Sequence, residues 1–161
     1  NIKSGKVTYT MTPFDLKGRI DEITGTLRGT AEAKGLAFNV NTGSDSLTYT
    51  GDRGQLVNVF KNLIDNSIKY TPKGEVNVSL KKTDRTIRFE IRDTGIGITE
   101  EDMKNLFTEG GHGKESSKVN VESTGFGLYI VKNIVEAHKG KVWAESEGCD
   151  KGSRFVVELP I

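Results

Sequence analysis

The chain has 161 residues, enough for one domain with a sizeable core. Its 23 basic and 22 acidic residues nearly cancel, so the charge balance argues against a nucleic-acid partner and against direct membrane contact by this domain. No apolar run approaches the length of a membrane span, and no signal peptide is visible. The lone Cys149 excludes a disulfide framework and a cysteine-based zinc site, and it fits a reducing, cytoplasmic compartment.

The first half of the chain predicts short strands around two amphipathic helices. Residues 6–10 predict a strand, and apolar residues at a spacing of three to four predict a helix from Asp15 to Ala33. Residues 36–40 and 47–50 predict a hairpin. A second helix is expected from the capping residue Asp52 to about Tyr70, before the sequence TPKG.

The second half predicts two hairpins separated by two helices and a loop. The first hairpin covers residues 75–82 and 86–93, and the last hairpin covers 141–147 and 153–160. Between them lie a short helix at 99–107, the loop at 108–123 and a long helix at 123–140. The loop at 108–123 has no apolar period, and Gly140 is expected to end the last helix. Adjacent hairpins with inserted helices favour an α+β sandwich over a doubly wound parallel sheet. Without a repeat or a linker, residues 1–161 are expected to form a single domain.

Asp93 stands where an alternating strand ends. Ile87, Phe89 and Ile91 alternate with charged residues, and the same phase places Asp93 on the apolar side. A carboxylate that faces a core is costly unless donors reach it. Asp93 either caps the turn at 94–97 or accepts its hydrogen bonds from a ligand, which glycines in that turn would let approach the backbone closely.

A polar stripe on the second helix and a pair of glycines before the third are the other candidates. Asn58, Asn62, Asn66 and Lys69 share one helix face, which is either a solvated surface or a cleft wall whose amide oxygens suit Mg²⁺. Glycines at 125 and 127 fall in the first turn of the third helix. They provide either loop flexibility or a close approach for phosphate at the helix N-terminus.

Three segments occur in an order and spacing that resemble the catalytic and ATP-binding domain of sensor histidine kinases: NLIDNSIKY at 62–70, DTGIGI at 93–98 and TGFGLYIVK at 124–132. This domain belongs to the ATPase superfamily shared with DNA gyrase, heat-shock chaperones and mismatch-repair proteins. The resemblance covers essentially the whole chain. It implies a Bergerat-type two-layer α/β sandwich, in which a mixed, mostly antiparallel sheet packs on three main helices.

The resemblance assigns roles to the residues that match. Asn66 is expected to coordinate Mg²⁺ between the ATP phosphates, and Asn62 to face the same cleft. Lys69 is expected to reach a phosphate, and together these three residues form the predicted catalytic set. Tyr70 would pack near the adenine, and Asp93 would accept a hydrogen bond from the adenine amino group.

The remaining predicted ATP contacts surround the nucleotide. Residues 108–123 would form a lid over ATP, in which TEGGHGKES replaces the aromatic-rich stretch of many members and Lys114 is the candidate phosphate contact. Ser153 would lie behind the adenine, near Asp93. A loop histidine such as His112 is expected to be solvated. The other residues expected to contact ATP are Gly95, Ile96 and Gly97 in the turn, and Thr124, Gly125, Phe126, Gly127 and Leu128 at the helix start.

The implied function is to bind Mg-ATP and to donate its γ-phosphate to a histidine on a separate dimerisation and phosphoacceptor domain, expected before Asn1. A response regulator receiver domain is the expected later partner, and the isolated domain is expected to be a monomer. His138, close to the end of the third helix, is expected to be a favourable helix-end charge or a surface residue. The alternatives are a hydrolysing switch ATPase, which typically has a glutamate base where Asn62 stands, a serine kinase of the anti-sigma-factor type, and a regulatory nucleotide-binding module.

Overall fold

The computed structural model describes residues 8–108 and 128–161, and it contains two sheets and four helices within those ranges. In chain order the elements are β1 (Thr12–Asp15), α1 (Leu16–Ala33), β2 (Ala37–Asn41), β3 (Thr48–Gly51), α2 (Arg53–Lys69), β4 (Glu75–Lys82), β5 (Thr86–Asp93), α3 (Glu100–Asn105), α4 (Leu128–Ala137), β6 (Lys141–Glu145) and β7 (Ser153–Pro160). None of the helices in this part of the chain is long and apolar enough to cross a membrane.

The main sheet has five strands in the order β2-β4-β5-β7-β6. Its β2–β4 pair is parallel, while the other three pairs are antiparallel. The helices α1, α2 and α4 pack on this sheet, and β1 and β3 form a separate antiparallel pair. The predicted α+β fold, with a mixed and mostly antiparallel sheet on three main helices, is confirmed.

The core lies between the sheet and the apolar stripes of the helices. On α2 the stripe contains Leu56, Phe60, Leu63 and Ile64, all at most 1% exposed. The ring of Phe60 lies 4.7 Å from that of Phe89 on β5, which fixes the middle of α2 over the centre of the sheet. The C-terminal half of α2 therefore lies beside the end of β5.

Two predictions for the first half of the chain are wrong. Residues 8–10 are not in a strand, and the first strand is β1, at Thr12–Asp15. The segments β2 and β3 do not form a hairpin with each other, since β2 runs parallel to β4 and β3 pairs with β1. Side-chain packing supports the observed pairing, because the rings of Phe14 and Tyr49 meet edge to face at 6.3 Å across β1 and β3.

The expectation for His138 is also wrong, because the side chain is buried rather than on the surface. Its Nδ1 lies 2.8 Å from the carbonyl oxygen of Ile134, and its Nε2 accepts the backbone N–H of Asp52 at 2.9 Å. This pattern fits a neutral ring with its proton on Nδ1. After α4, it is Lys139 rather than a glycine that adopts the left-handed backbone conformation. Gly140 follows it and donates its N–H to the carbonyl of Val135.

Candidate functional site

A cleft opens between the C-terminal half of α2, the turn after β5, the helix α3 and the start of β7. It encloses about 630 Å³ of space, part of it open to solvent. Its lining consists of Asn66, Ser67, Tyr70, Asp93, Ile96, Gly97, Ile98, Asp102, Leu106, Ser153 and Phe155. Six of these residues were expected from the sequence, and all three segments Asn66–Tyr70, Asp93–Ile98 and Ser153–Phe155 meet in one place.

Asp93 lies in the lining of this cleft and is only 5% exposed. Its Oδ1 accepts the backbone N–H groups of Gly95 at 2.9 Å and Ser153 at 3.2 Å, and its Oδ2 accepts the Ser153 hydroxyl at 3.0 Å. Both interpretations of Asp93 therefore have a structural basis, because it caps the turn and also faces a cleft. A carboxylate has about four acceptor positions, so these three bonds leave Oδ2 able to accept from a ligand.

The glycines of the turn after β5 are required by neighbouring protein atoms. A β-carbon on Gly95 would overlap the carbonyl oxygen of Tyr70. Gly97 has φ 76°, and a β-carbon there would overlap the carbonyl oxygen of Gly148. These contacts fix the shape of the turn, while close approach of a nucleotide to it stays a prediction.

The loop between β6 and β7 supports this turn through bonds that the sequence did not reveal. The hydroxyl of Ser146 accepts the N–H of Ile98 at 2.9 Å and donates to the carbonyl of Gly152 at 2.7 Å. The N–H of Asp150 donates to the carbonyl of Ile96 at 2.7 Å. The turn is thus held from both sides, by the end of α2 and by this loop.

Of the three predicted catalytic residues on α2, only Asn66 belongs to the lining of the cleft. Asn66 lines the cleft and donates its Nδ2–H to Oδ1 of Asn62 at 3.0 Å, so the two amides orient each other. Asn62 lies one turn away and Lys69 is exposed at the helix end, and neither belongs to the lining. In the described ranges no three His, Cys, Asp or Glu side chains form a group that could hold a metal. A metal at Asn66 would therefore take its other oxygen ligands from phosphates and water, as Mg²⁺ usually does.

Most residues predicted to contact the phosphates fall outside the described residues. These are Lys114, Thr124, Gly125, Phe126 and Gly127, together with His112 and residues 109–123 of the predicted lid. Their roles stay predictions. Leu128 begins α4, and its side chain is fully buried in the core, so a contact to phosphate there would have to use its backbone.

Five lining residues were missed by sequence reasoning: Ser67, Ile98, Asp102, Leu106 and Phe155. Ile98, Leu106 and Phe155 are apolar residues in ordinary core or turn positions, and nothing local marks them. Ser67 has a detectable signal, because it is a polar residue within the apolar stripe of α2, between Leu63 and Ile68.

Residues 51–161 match the family described as histidine kinase-, DNA gyrase B-, and HSP90-like ATPases. The chain is 32% identical to the signal transduction histidine-protein kinase BaeS of Escherichia coli, over 98% of this chain and 33% of that protein. It is also 32% identical to the adaptive-response sensory kinase SasA of Microcystis aeruginosa, over 98% of this chain and 41% of that protein. The chain belongs to this ATPase family, and it is similar to the catalytic part of histidine kinases.

Solved structures agree with this assignment. The catalytic domain of the histidine kinase ThkA superposes with a TM-score of 0.79 at 25% identity, over 94% of this chain and 95% of that one. Full-length ShkA, solved in complex with AMPPNP, superposes with a TM-score of 0.79 at 26% identity, over 96% of this chain and 32% of that one. The chain spans a third to two fifths of the length of BaeS and SasA.

Proposed function

We propose that this domain binds Mg-ATP in the cleft and donates the γ-phosphate to a histidine on a separate dimerisation and phosphoacceptor domain. The observation that carries the proposal is Asp93, a buried carboxylate that lines the cleft and retains acceptor capacity. The similarity to sensor kinases along nearly the whole chain supports the same activity.

The adenine fits the inner part of the cleft. Oδ2 of Asp93 would accept the exocyclic amino group, which is a donor in adenine. Ile98, Leu106 and Phe155 provide apolar surface for the faces of the ring, and Tyr70 would pack at its edge. A base with a carbonyl oxygen in place of the amino group would meet the carboxylate oxygen instead, so the site should reject guanine.

The triphosphate would extend toward the polar face of α2. Asn66 would give one amide oxygen to Mg²⁺, and Lys69 would reach a phosphate. The bond between Asn66 and Asn62 supports this role, because it orients the Asn66 amide. Mg²⁺ held at Asn66 would supply positive charge that offsets the negative charge developing on the phosphates during transfer. Asn62 cannot accept a proton as a carboxylate would, so activation of water should be poor and hydrolysis slow.

The proposed partners are the acceptor domain of the same parent protein and, later, a response regulator receiver domain. BaeS and SasA extend well beyond the matched region, which leaves room for an acceptor domain in their chains. We also propose a cytoplasmic location and a monomeric isolated domain. The near-neutral charge and the exposed single cysteine are compatible with both.

The test is calorimetric titration of the domain with ATP and GTP, each with and without Mg²⁺. ATP should bind tightly and in a Mg²⁺-dependent way, while GTP should bind poorly. Asn66→Ala should abolish the Mg²⁺ dependence. Asn58→Ala, an exposed amide on the same helix face, is the matched control and should leave it intact. Equal affinities for ATP and GTP would refute the adenine assignment, and rapid hydrolysis by the natural domain would favour a switch ATPase.

A further inference from the structure

Ser67 is a polar residue in a core position. The buried stripe of α2 runs through Phe60, Leu63 and Ile64 to Ser67 and Ile68, so the helix turns the Ser67 side chain inward. Ser67 is 2% exposed. An aliphatic residue at this position would bury apolar surface at no polar cost, so the hydroxyl needs an explanation.

The hydroxyl of Ser67 has no hydrogen-bond partner in the described structure. A serine inside a helix usually satisfies its hydroxyl by bonding the carbonyl four residues earlier, and Ser67 does not make that bond. The nearby hydroxyl of Thr71 is already committed, because it donates to the backbone carbonyl of Ser67 at 2.6 Å. Buried hydroxyls without a partner are rare and point to a missing one.

The missing partner belongs in the cleft, because Ser67 lines it together with Asp93 and Ser153. The Ser153 hydroxyl already donates to Asp93 at 3.0 Å, whereas the Ser67 hydroxyl is buried and has no bond. The residues that line the cleft therefore include a carboxylate acceptor and an unbonded hydroxyl that can donate.

We propose that Ser67 is a specificity-determining residue for the base. Its hydroxyl donates a hydrogen bond to a ring nitrogen of adenine beside the exocyclic amino group, N1 or N7, directly or through one water. This inference rests on the proposed function, in which Asp93 accepts that amino group. The Ser67 donor and the Asp93 acceptor together match adenine, in which the amino group is a donor flanked by two ring nitrogens that accept. Asp93 alone recognises the amino group, whereas Asp93 and Ser67 together recognise the amino group and its neighbour.

The experiment measures the affinity of the natural protein and of Ser67→Ala for Mg-ATP by calorimetry. Loss of one neutral hydrogen bond should weaken ATP binding about three- to tenfold. Ser79→Ala, on strand β4 and away from the cleft, is the control and should bind ATP as the natural protein does. Thermal unfolding of each variant shows that the fold is retained.

Two analogues identify the atom. The triphosphates of 1-deazaadenosine and 7-deazaadenosine each replace one ring nitrogen by a carbon. For the analogue that lacks the bonded nitrogen, Ser67→Ala should cause no further loss, because the bond is already absent. For the other analogue it should cause the same loss as for ATP.

The outcomes separate this inference from the proposed function. If the natural protein does not bind Mg-ATP, the proposed function fails. If it binds Mg-ATP and Ser67→Ala binds with the same affinity, only the assignment of Ser67 fails. An equal loss for ATP and for both analogues would also overturn it, because the hydroxyl would then contact neither nitrogen.

Discussion

At the scale of single residues, Asp93 has two tasks that share one carboxylate. Oδ1 fixes the turn through Gly95 and the start of β7 through Ser153, while Oδ2 accepts the Ser153 hydroxyl and keeps room for a ligand donor at the lining of the cleft. The protein bonds orient the carboxylate before a ligand arrives. Such preorganisation lowers the ordering cost of binding.

Asp93→Asn should weaken ATP binding about ten- to a hundredfold, because a hydrogen bond to a charged acceptor contributes roughly 1.5–3 kcal/mol. The fold should persist, since the amide oxygen can still accept the two backbone N–H groups. Calorimetry measures the affinity, and urea unfolding checks the stability. Asp150→Asn, at an exposed position in the β6–β7 loop, is the matched control. An Asp93→Asn protein that binds ATP as well as the control would contradict the role of the carboxylate.

The burial of Asp93 was predictable from the strand phase, but its protein partners were not. Ser153 lies 60 positions away, and the sequence carries no local mark of that pairing. Ser67 was missed although its position was predictable, because a polar residue within the apolar stripe of α2 stands out only once the buried face has been defined. Local periodicity predicts which face a residue occupies, while its partners depend on how distant elements pack.

At the scale of elements, the turn at Gly95–Ile98 depends on a loop far away in the chain. Gly97→Ala should lower the free energy of unfolding by about 1–3 kcal/mol, because it places a side chain in a left-handed conformation and against Gly148. Gly29→Ala, in open space on α1, should instead stabilise the protein by about 0.5–1 kcal/mol. Urea unfolding measures the free energy of unfolding of both variants and of the natural protein. Equal stabilities would contradict the described turn.

An ion pair between Arg154 and Glu90 on the sheet makes the stability of the fold depend on pH. Both nitrogens Nε and Nη2 of Arg154 donate to Glu90, at 2.8 and 3.1 Å, and these bonds hold the pKa of Glu90 below its usual value. Because the pKa is lower in the folded state, the pair stabilises the fold above about pH 4.3 and the benefit disappears as the pH falls through the folded-state pKa.

Glu90→Gln should therefore lower the free energy of unfolding by up to about 1 kcal/mol at pH 7 and by much less near pH 3. Urea unfolding at the two pH values measures the difference. Glu147→Gln, at an exposed position, controls for the loss of one negative charge. A destabilisation by Glu90→Gln of the same size at both pH values would show that the ion pair is not its cause.

Element positions could be predicted from the sequence better than strand pairing. The hairpins β4–β5 and β6–β7 were predicted correctly, because short connections join strands that pair with each other. The pairing of β2 with β4 was missed, because α2 and β3 lie between them in the chain. Parallel pairs need such crossovers, and a pattern within one strand does not reveal them.

At the scale of the whole molecule, His138 connects α4 with the start of α2, the helix whose other end lines the site. It accepts the N–H of Asp52 at the start of α2 and bonds the carbonyl of Ile134 in α4. Its edge-on contact with Tyr9, with ring centres 5.8 Å apart, also ties the first described residues to this junction. His138 is 6% exposed and bonded through both nitrogens, so it is not placed to accept a phosphoryl group.

In the proposed function, this domain is a phosphoryl donor to a histidine elsewhere. The most direct measurement incubates the domain with γ-labelled ATP and Mg²⁺, alone and with the acceptor domain of its parent protein added in trans. We predict no label on the isolated domain and acid-labile label on the added domain, lost when Asp93→Asn replaces the natural protein. Acid-labile label on the isolated domain that disappears with His112→Ala, or no transfer to the acceptor while ATP is bound, would contradict the claim.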